Sequence, residues 1–128
     1  MSGELDKPLS LICVDWGTTN LRAYAVANDG SVIEHVENNQ GLRNKPDNYA
    51  DCLKAVIHGW IDDARPVNVL LSGMVGSPTG WQEVPHLPAP ASASALAAEA
   101  RLVTRISSCP IWILPGVKGT GISGMPDV

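Results

Sequence analysis

A nearly continuous apolar run, PLSLICV, ends on the aspartate at residue 15, and the small-residue stretch WGTTN follows. A run of that length and character reads as a strand buried on both faces. Alternation resumes at once in NLRAYAVA, with Leu21, Ala23 and Ala25 set against Arg22, Tyr24 and Val26. Residues 15–19 are therefore a turn joining two strands, and what such a turn can do depends on its chemistry. Gly17 lets the backbone approach a ligand closely. The hydroxyls of Thr18 and Thr19 can donate to phosphate oxygens. Asp15, at the end of a buried strand, can hold Mg²⁺ directly or through water, and the metal then offsets phosphate charge. That is a phosphate cradle without a P-loop lysine. An ordinary hairpin containing Asp and Gly has the same five residues, and they do not choose between the two readings.

The rest of the chain supplies context. NDG, residues 28–30, is a hairpin signal because Asn, Asp and Gly tolerate positive φ. SVIEHVE then reads as a third strand, making an antiparallel meander. After the polar loop NNQGLRNKPDN, Pro46 and Asp47 announce a helix, with Asp47 as N-cap. Tyr49, Leu53, Val56, Ile57, Trp60, Ile61 and Ala64 recur at helical spacing, and Pro66 ends the pattern. VNVLLSG is a short buried strand running into the glycine-rich loop GMVGSPTGW. EVPHLPAPAS is too rich in proline for regular structure and is expected to cross the surface extended. SALAAEARLVTRI carries Leu96, Ala100, Val103 and Ile106 on one helical face, with Ser94 as cap. PIWIL is the last strand, and PGVKGTGISGMPDV has no core signal. The expected order is β-β-β-α-β-α-β, an α/β fold with a mixed five-stranded sheet covered by helices. No repeat or internal linker divides residues 1–128, so the chain reads as one unit.

Composition narrows the class. A chain of 128 residues, 45% apolar and 17% charged, can bury a core and is globular rather than disordered. With four Trp, two Tyr and no Phe, that core must be largely aliphatic. A net charge of -4 argues against nucleic acid or an anionic membrane surface as partner. No apolar span approaches the ~18 residues of a membrane helix. The polar start MSGELDKP is unlike a secretory signal, so the expected location is cytoplasmic. Cys13, Cys52 and Cys109 lack metal-ligand spacing and read as buried or half-buried thiols. His35, His58 and His86 are dispersed and read as structural or surface residues.

The element order, with Asp-x-Gly-Thr-Thr in its first hairpin, resembles the nucleotide-binding lobe of the sugar kinase/hexokinase/actin superfamily, a ribonuclease H-like, actin-like ATPase lobe. More narrowly, VDWGTTNLRAY, SGMVGSPTGWQEVPHLPAP and IWILPGV with PDV beyond it together resemble the 2-dehydro-3-deoxygalactonokinases. These phosphorylate a 2-keto-3-deoxy sugar acid in galactonate breakdown. The first block matches at residues 15–19 and 21–23. The second matches at residues 73–77, Gly80, Trp81 and Pro85. His86 departs from it, because the family commonly has Tyr there. The resemblance implies ATP and Mg²⁺ as cofactors, with Asp15 organising the metal and Gly17, Thr18 and Thr19 holding phosphates. It implies that Arg22 and the loop containing Gly73, Met74, Gly76 and Ser77 position the sugar acid, with Trp81 packing beneath it. Plainer readings stand beside these: an exposed strand arginine, a ligand-free glycine-rich connection and a packed tryptophan. Gly41, Leu42 and Arg43 lie in the other loop expected to edge the cleft, where a solvated loop is the plainer reading.

The family continues past the position of Val128 with an acidic run and a second lobe that supplies most of the adenosine pocket. The resemblance thus implies an N-terminal lobe whose partner lobe is missing from this chain. Asp127 and the acids of that run compete for the role of general base. The isolated 128-residue chain is expected to show little kinase activity. It is also expected to self-associate through apolar surface that the second lobe would cover. Light scattering checks this, and a strictly monomeric species at high concentration contradicts it. Two other readings remain: another sugar or sugar-acid kinase of the superfamily, and a non-catalytic ligand-binding or interaction fragment.

Overall fold

The chain opens as a meander of β1 (Leu9–Trp16), β2 (Leu21–Ala27) and β3 (Val32–Asn38), successive strands pairing antiparallel. The computed structural model describes residues 8–43, 46–118 and 126–127. The β2–β3 connection turns at Gly30, whose φ of 86° suits a residue without Cβ, and Asp29 accepts from the Ser31 amide at 2.9 Å. β4 (Asn68–Ser72) lies parallel to β1, and β7 (Cys109–Ile113) lies parallel to β4. β6 (Arg101–Ile106) closes the edge antiparallel to β7, giving the order β3-β2-β1-β4-β7-β6. Three two-residue strands, β5 (Leu87–Pro88), β8 (Val117–Lys118) and β9 (Pro126–Asp127), form a second small sheet in the order β5-β8-β9.

The main sheet has six strands, not the five expected, and the extra one comes from the segment read as a second helix. Helix α2 covers only Ala93–Ala98, and its N-cap is Ser92, which accepts from the Ala95 amide at 3.1 Å, rather than Ser94. Residues 101–106 are strand because Val103, Thr104 and Ile106 are β-branched and a partner follows immediately. Ser107 and Ser108, at φ 47° and 68°, make a two-residue turn that places Ile106 opposite Cys109. Two consecutive positive φ values match the twist of a hairpin. The usual Asn-Gly marker is absent.

Helix α1 (Tyr49–Ile57) is capped by Asn48, whose side chain accepts from the Asp51 amide at 3.0 Å, so Asp47 is not the cap. The helix is shorter than its apolar pattern, but Trp60 and Ile61 still pack on the core from the turn beyond it. Leu53 and Ile57 are fully buried against Ile12, Val14 and Trp16 of β1, Leu21 and Ala23 of β2, and the inward residues of β4 and β7.

The opposite face of the sheet is only half covered. Register places His35, Tyr24, Cys13, Leu70, Trp112 and Leu102 in one row across all six strands. Leu102 is 44% exposed and the other apolar members are half-buried. The expectation that β1 is buried on both faces therefore fails. Helix α2 is six residues long, and its Ala97 shares a cavity with Leu70 of β4 and Trp112 of β7. Among the described residues, no helix is long and apolar enough to cross a membrane.

Cys13, Cys52 and Cys109 are free thiols. Burial pushes the Cys13 and Cys52 thiols above the ordinary cysteine value. The thiolate is the reactive form, so both are expected to alkylate slowly with iodoacetamide near neutral pH and faster as pH rises. Rapid labelling of both at pH 7 contradicts that.

Candidate active site

The 17–19 turn is closed by the Gly17 amide donating to the Asn20 carbonyl at 2.9 Å. Its three carbonyls are all taken by one loop. Leu42 donates to Gly17, Arg43 to Thr18 and Gly41 to Thr19, at 2.9, 2.8 and 3.1 Å. Gly41 is buried here, and a Cβ on it would fall on the backbone of Thr18 and Thr19, inside the 3.0 Å that real Cβ contacts respect. The indole of Trp16 anchors the same loop by donating to the Gln40 carbonyl at 3.1 Å. Among the described residues, the amides of Thr18 and Thr19 have no protein acceptor, and both residues are exposed. The turn thus spends its acceptors on the protein and leaves donors for something else. Backbone arranged in this way attracts anions.

Asp15 lies beside this turn at the carboxyl end of β1, opposite Arg22 on β2 and Ser72 on β4. β1 and β4 are parallel and end together, and ligands of open α/β sheets bind at such ends. Gly73 follows with φ 99°, and a Cβ there would meet the Trp16 carbonyl at 2.8 Å and Asp15 Oδ1 at 3.0 Å. Only glycine satisfies both the torsion and the approach. Arg22 lies between two carboxylates, with Nη1 3.8 Å from Asp15 Oδ2 and Nε 3.3 Å from Glu37 Oε2. Its positive charge is already matched, a feature that no motif around Arg22 announces. Among the described residues, no three His, Cys, Asp or Glu side chains cluster to hold a metal. An ion at Asp15 would take its other oxygens from phosphate and water, as Mg²⁺ commonly does.

The loop after β4 contains a 3₁₀ turn, Met74–Gly76, and it is tightly folded on itself. The Gly76 amide donates to Gly73, Ser77 to Met74, Trp81 to Val75 and Val84 to Gly76, at 3.2, 3.0, 2.9 and 2.9 Å. In the loop expected to position the sugar acid, the Gly76 and Ser77 amides are thus committed to the loop's own turns. A Cβ on Gly76 would meet Ile113 Cγ2 at 3.0 Å, and one on Gly80 would strike the Val75 carbonyl. Both glycines answer to packing. The Ser77 hydroxyl is 3.3 Å from Thr79 Oγ1, in a residue only 9% exposed. Met74 projects to solvent.

Trp81 stacks on Tyr49, with centroids 5.5 Å apart and planes 8° apart, and meets Trp16 edge-on at 6.4 Å. Trp16 leaves β1 on the face opposite Asp15, so this aromatic cluster backs the turn from the core side. Beside Gly73, a groove of about 310 Å³ runs between Ser72, Leu96, Leu114 and Val117. Asp127 falls in β9 as the register partner of Val117, and its side chain lies outside the described residues.

Structure therefore brings together Asp15, Arg22, Gly73, the 17–19 turn and the 41–43 loop expected to edge the cleft. Asn39, which sequence reasoning did not single out, joins Thr18, Thr19, Gly41 and Arg43 around a cavity of about 220 Å³. No motif marks Asn39, and only the fold carries the end of β3 to the turn.

The sequence profile of the 2-keto-3-deoxy-galactonokinase family matches residues 15–128. The chain belongs to this family. It is 35% identical over 107 residues to the 2-dehydro-3-deoxygalactonokinase of Escherichia coli K12, covering 83% of this chain and 34% of that protein. It is 26% identical over 111 residues to "Probable 2-dehydro-3-deoxygalactonokinase DgoK1" of Rhizobium meliloti strain 1021, covering 81% of this chain and 34% of that one. The chain thus spans about a third of the length of the curated relatives it matches. A crystal structure of a candidate 2-dehydro-3-deoxygalactonokinase from Sinorhizobium meliloti superimposes with a TM-score of 0.74 at 24% identity. It covers 92% of this chain and 38% of that one, and the likeness is one of fold. The Asp-Trp-Gly-Thr-Thr turn of this 2-keto-3-deoxy-galactonokinase family member opens the matched span.

Proposed function

We propose that this chain is the phosphate- and substrate-binding part of an ATP-dependent kinase acting on 2-dehydro-3-deoxygalactonate, within a ribonuclease H-like, actin-like lobe. The observation that carries the reading is the 17–19 turn beside Asp15. Its carbonyls are consumed by the 41–43 loop while the Thr18 and Thr19 amides remain as donors. The two threonine hydroxyls extend that donor set toward phosphate oxygens. Asp15 holds Mg²⁺, which supplies charge neutralisation at the phosphates when bound. Arg22, tied to Asp15 and Glu37, keeps the Asp15 carboxylate oriented across the strand pair. The 73–77 loop brings backbone to the edge of Asp15 through Gly73 and shapes the substrate side. Asp127 is a candidate for taking the proton of the attacking hydroxyl. Rate enhancement then comes from positioning and electrostatics rather than covalent chemistry. Cytoplasmic location and self-association of the isolated chain belong to the same reading.

The test is ADP release by the full-length protein with MgATP and 2-dehydro-3-deoxygalactonate, against a panel of neutral sugars and other sugar acids. Preference for the 2-keto-3-deoxy acid is expected. Turnover confined to another sugar moves the chain to a different kinase of the superfamily. Ligand binding without ATP consumption moves it to the non-catalytic reading.

A further inference from the structure

We infer that Arg43 is an oxyanion-binding residue of the phosphate turn, seated with Thr18, Thr19 and Asn39 around one polar pocket. The inference rests on the kinase reading for the identity of the anion, but its geometry stands without it. Arg43 belongs to the loop whose three amides latch onto the turn carbonyls, so its Cα is fixed to the turn by its own hydrogen bond to Thr18 at 2.8 Å. Its guanidinium reaches back over the turn, with Nη2 3.4 Å from Thr19 Oγ1. The pocket beneath has a volume of about 220 Å³ and is lined by Thr18, Thr19, Asn39, Gly41 and Arg43, none of them acidic.

Charge separates Arg43 from the arginine that the motif highlights. Arg22 is held by two carboxylates, and recruiting it to an anion would mean displacing them. Arg43 pairs with no carboxylate among the described residues, so its charge is available. A guanidinium binds carboxylate and phosphate alike through parallel N–H donors. The unclaimed amides of Thr18 and Thr19 add donors on the same turn. The neighbouring larger pocket, of about 530 Å³, carries Asp47 and Asp51 and repels the same ligands. The anion is an oxyanion, either a phosphate of the nucleotide or the carboxylate of the sugar acid.

The experiment compares Arg43→Gln and Arg43→Lys with the unaltered full-length protein, measuring KM for MgATP and for the sugar acid separately. Loss of a charge-assisted bond is expected to raise one of the two KM values about 10- to 100-fold in R43Q, with partial recovery in R43K. A rise confined to MgATP identifies the phosphate, and a rise confined to the sugar acid identifies the carboxylate. Both KM values unchanged in R43Q overturn the assignment, whatever happens to kcat, and leave the kinase reading intact. Should the unaltered protein show no turnover, titration with inorganic phosphate and with pyruvate replaces the kinetics. Weaker binding of either by R43Q then supports the seat while the kinase reading fails, and equal or absent binding overturns the seat.

Discussion

Asp15→Asn is expected to leave the folded protein intact and to remove its Mg²⁺-dependent turnover. The carboxylate is 52% exposed, and its one ion pair among the described residues, to Arg22, is at 3.8 Å. Exposed pairs of this kind contribute only about 0–1 kcal/mol, so stability should barely move. Asparagine keeps the shape beside Gly73 and loses the charge proposed to bind the metal. Metal-centred stabilisation of developing charge amounts to several kcal/mol, so turnover should fall on the order of 10³-fold. Coupled-assay rates and thermal unfolding, run side by side on the full-length protein, separate the two effects. A rate equal to that of the unaltered protein removes Asp15 from the metal site. An unfolded variant would instead make the carboxylate structural.

The second large effect is one of stability. Gly41→Ala puts a methyl group into the backbone of Thr18 and Thr19, where no flexible side chain can give way. The 41–43 loop must lift, breaking hydrogen bonds to the carbonyls of Gly17, Thr18 and Thr19. At about 0.5–1.5 kcal/mol net for each bond, the loss should be about 2–4 kcal/mol. In a domain of this size that lowers Tm by roughly 10 °C. Gly59→Ala is the matched control, because Gly59 is exposed and a Cβ there meets nothing within 4 Å. It should be neutral or stabilise by about 0.4–1 kcal/mol through the unfolded chain. Denaturation curves decide, and equal stability of the two variants would contradict the close approach at Gly41.

The two variants also bear on how the turn is built. Asp15 and its threonines are contiguous, so their chemistry is visible in a five-residue stretch. The latch that orients them spans 24 residues, between Thr19 and Arg43 and between Trp16 and Gln40, and consists mostly of backbone bonds. Backbone hydrogen bonds leave no signature in residue type. Gly41 alone hinted at it, and a glycine in a polar loop has many simpler explanations.

The helix expected over residues 94–106 shows the opposite difficulty. Leu96, Ala100, Val103 and Ile106 satisfy helical spacing, yet residues 101–106 are an edge strand. Short apolar segments satisfy both periods, and pairing with β7 decides between them. The turn that enforces the pairing is two serines at positive φ, residues that seldom mark such a turn. Trp81 and Ser77 were ambiguous for a related reason. A glycine-rich loop carrying them suits ligand binding and tight packing equally, and the short contacts of Gly76 and Gly80 show packing at work.

By itself the sequence determined the β1–β2–β3 meander, a mixed sheet and the amphipathic face of α1, and it grouped Asp15, Gly17, Thr18 and Thr19 in one short stretch between two strands. These rest on local patterning and on neighbours close in the chain. Tertiary structure alone decided the sixth strand, the half-covered sheet face, the latch of the 41–43 loop and the ion pairing of the two arginines. Arg22 and Arg43 are equivalent as letters. Strand register sets Glu37 and Asp15 against the first, while the loop carries the second to Thr19 clear of any acid among the described residues. Coulomb interactions depend on distance in space, and distance in space is what a chain settles only by folding.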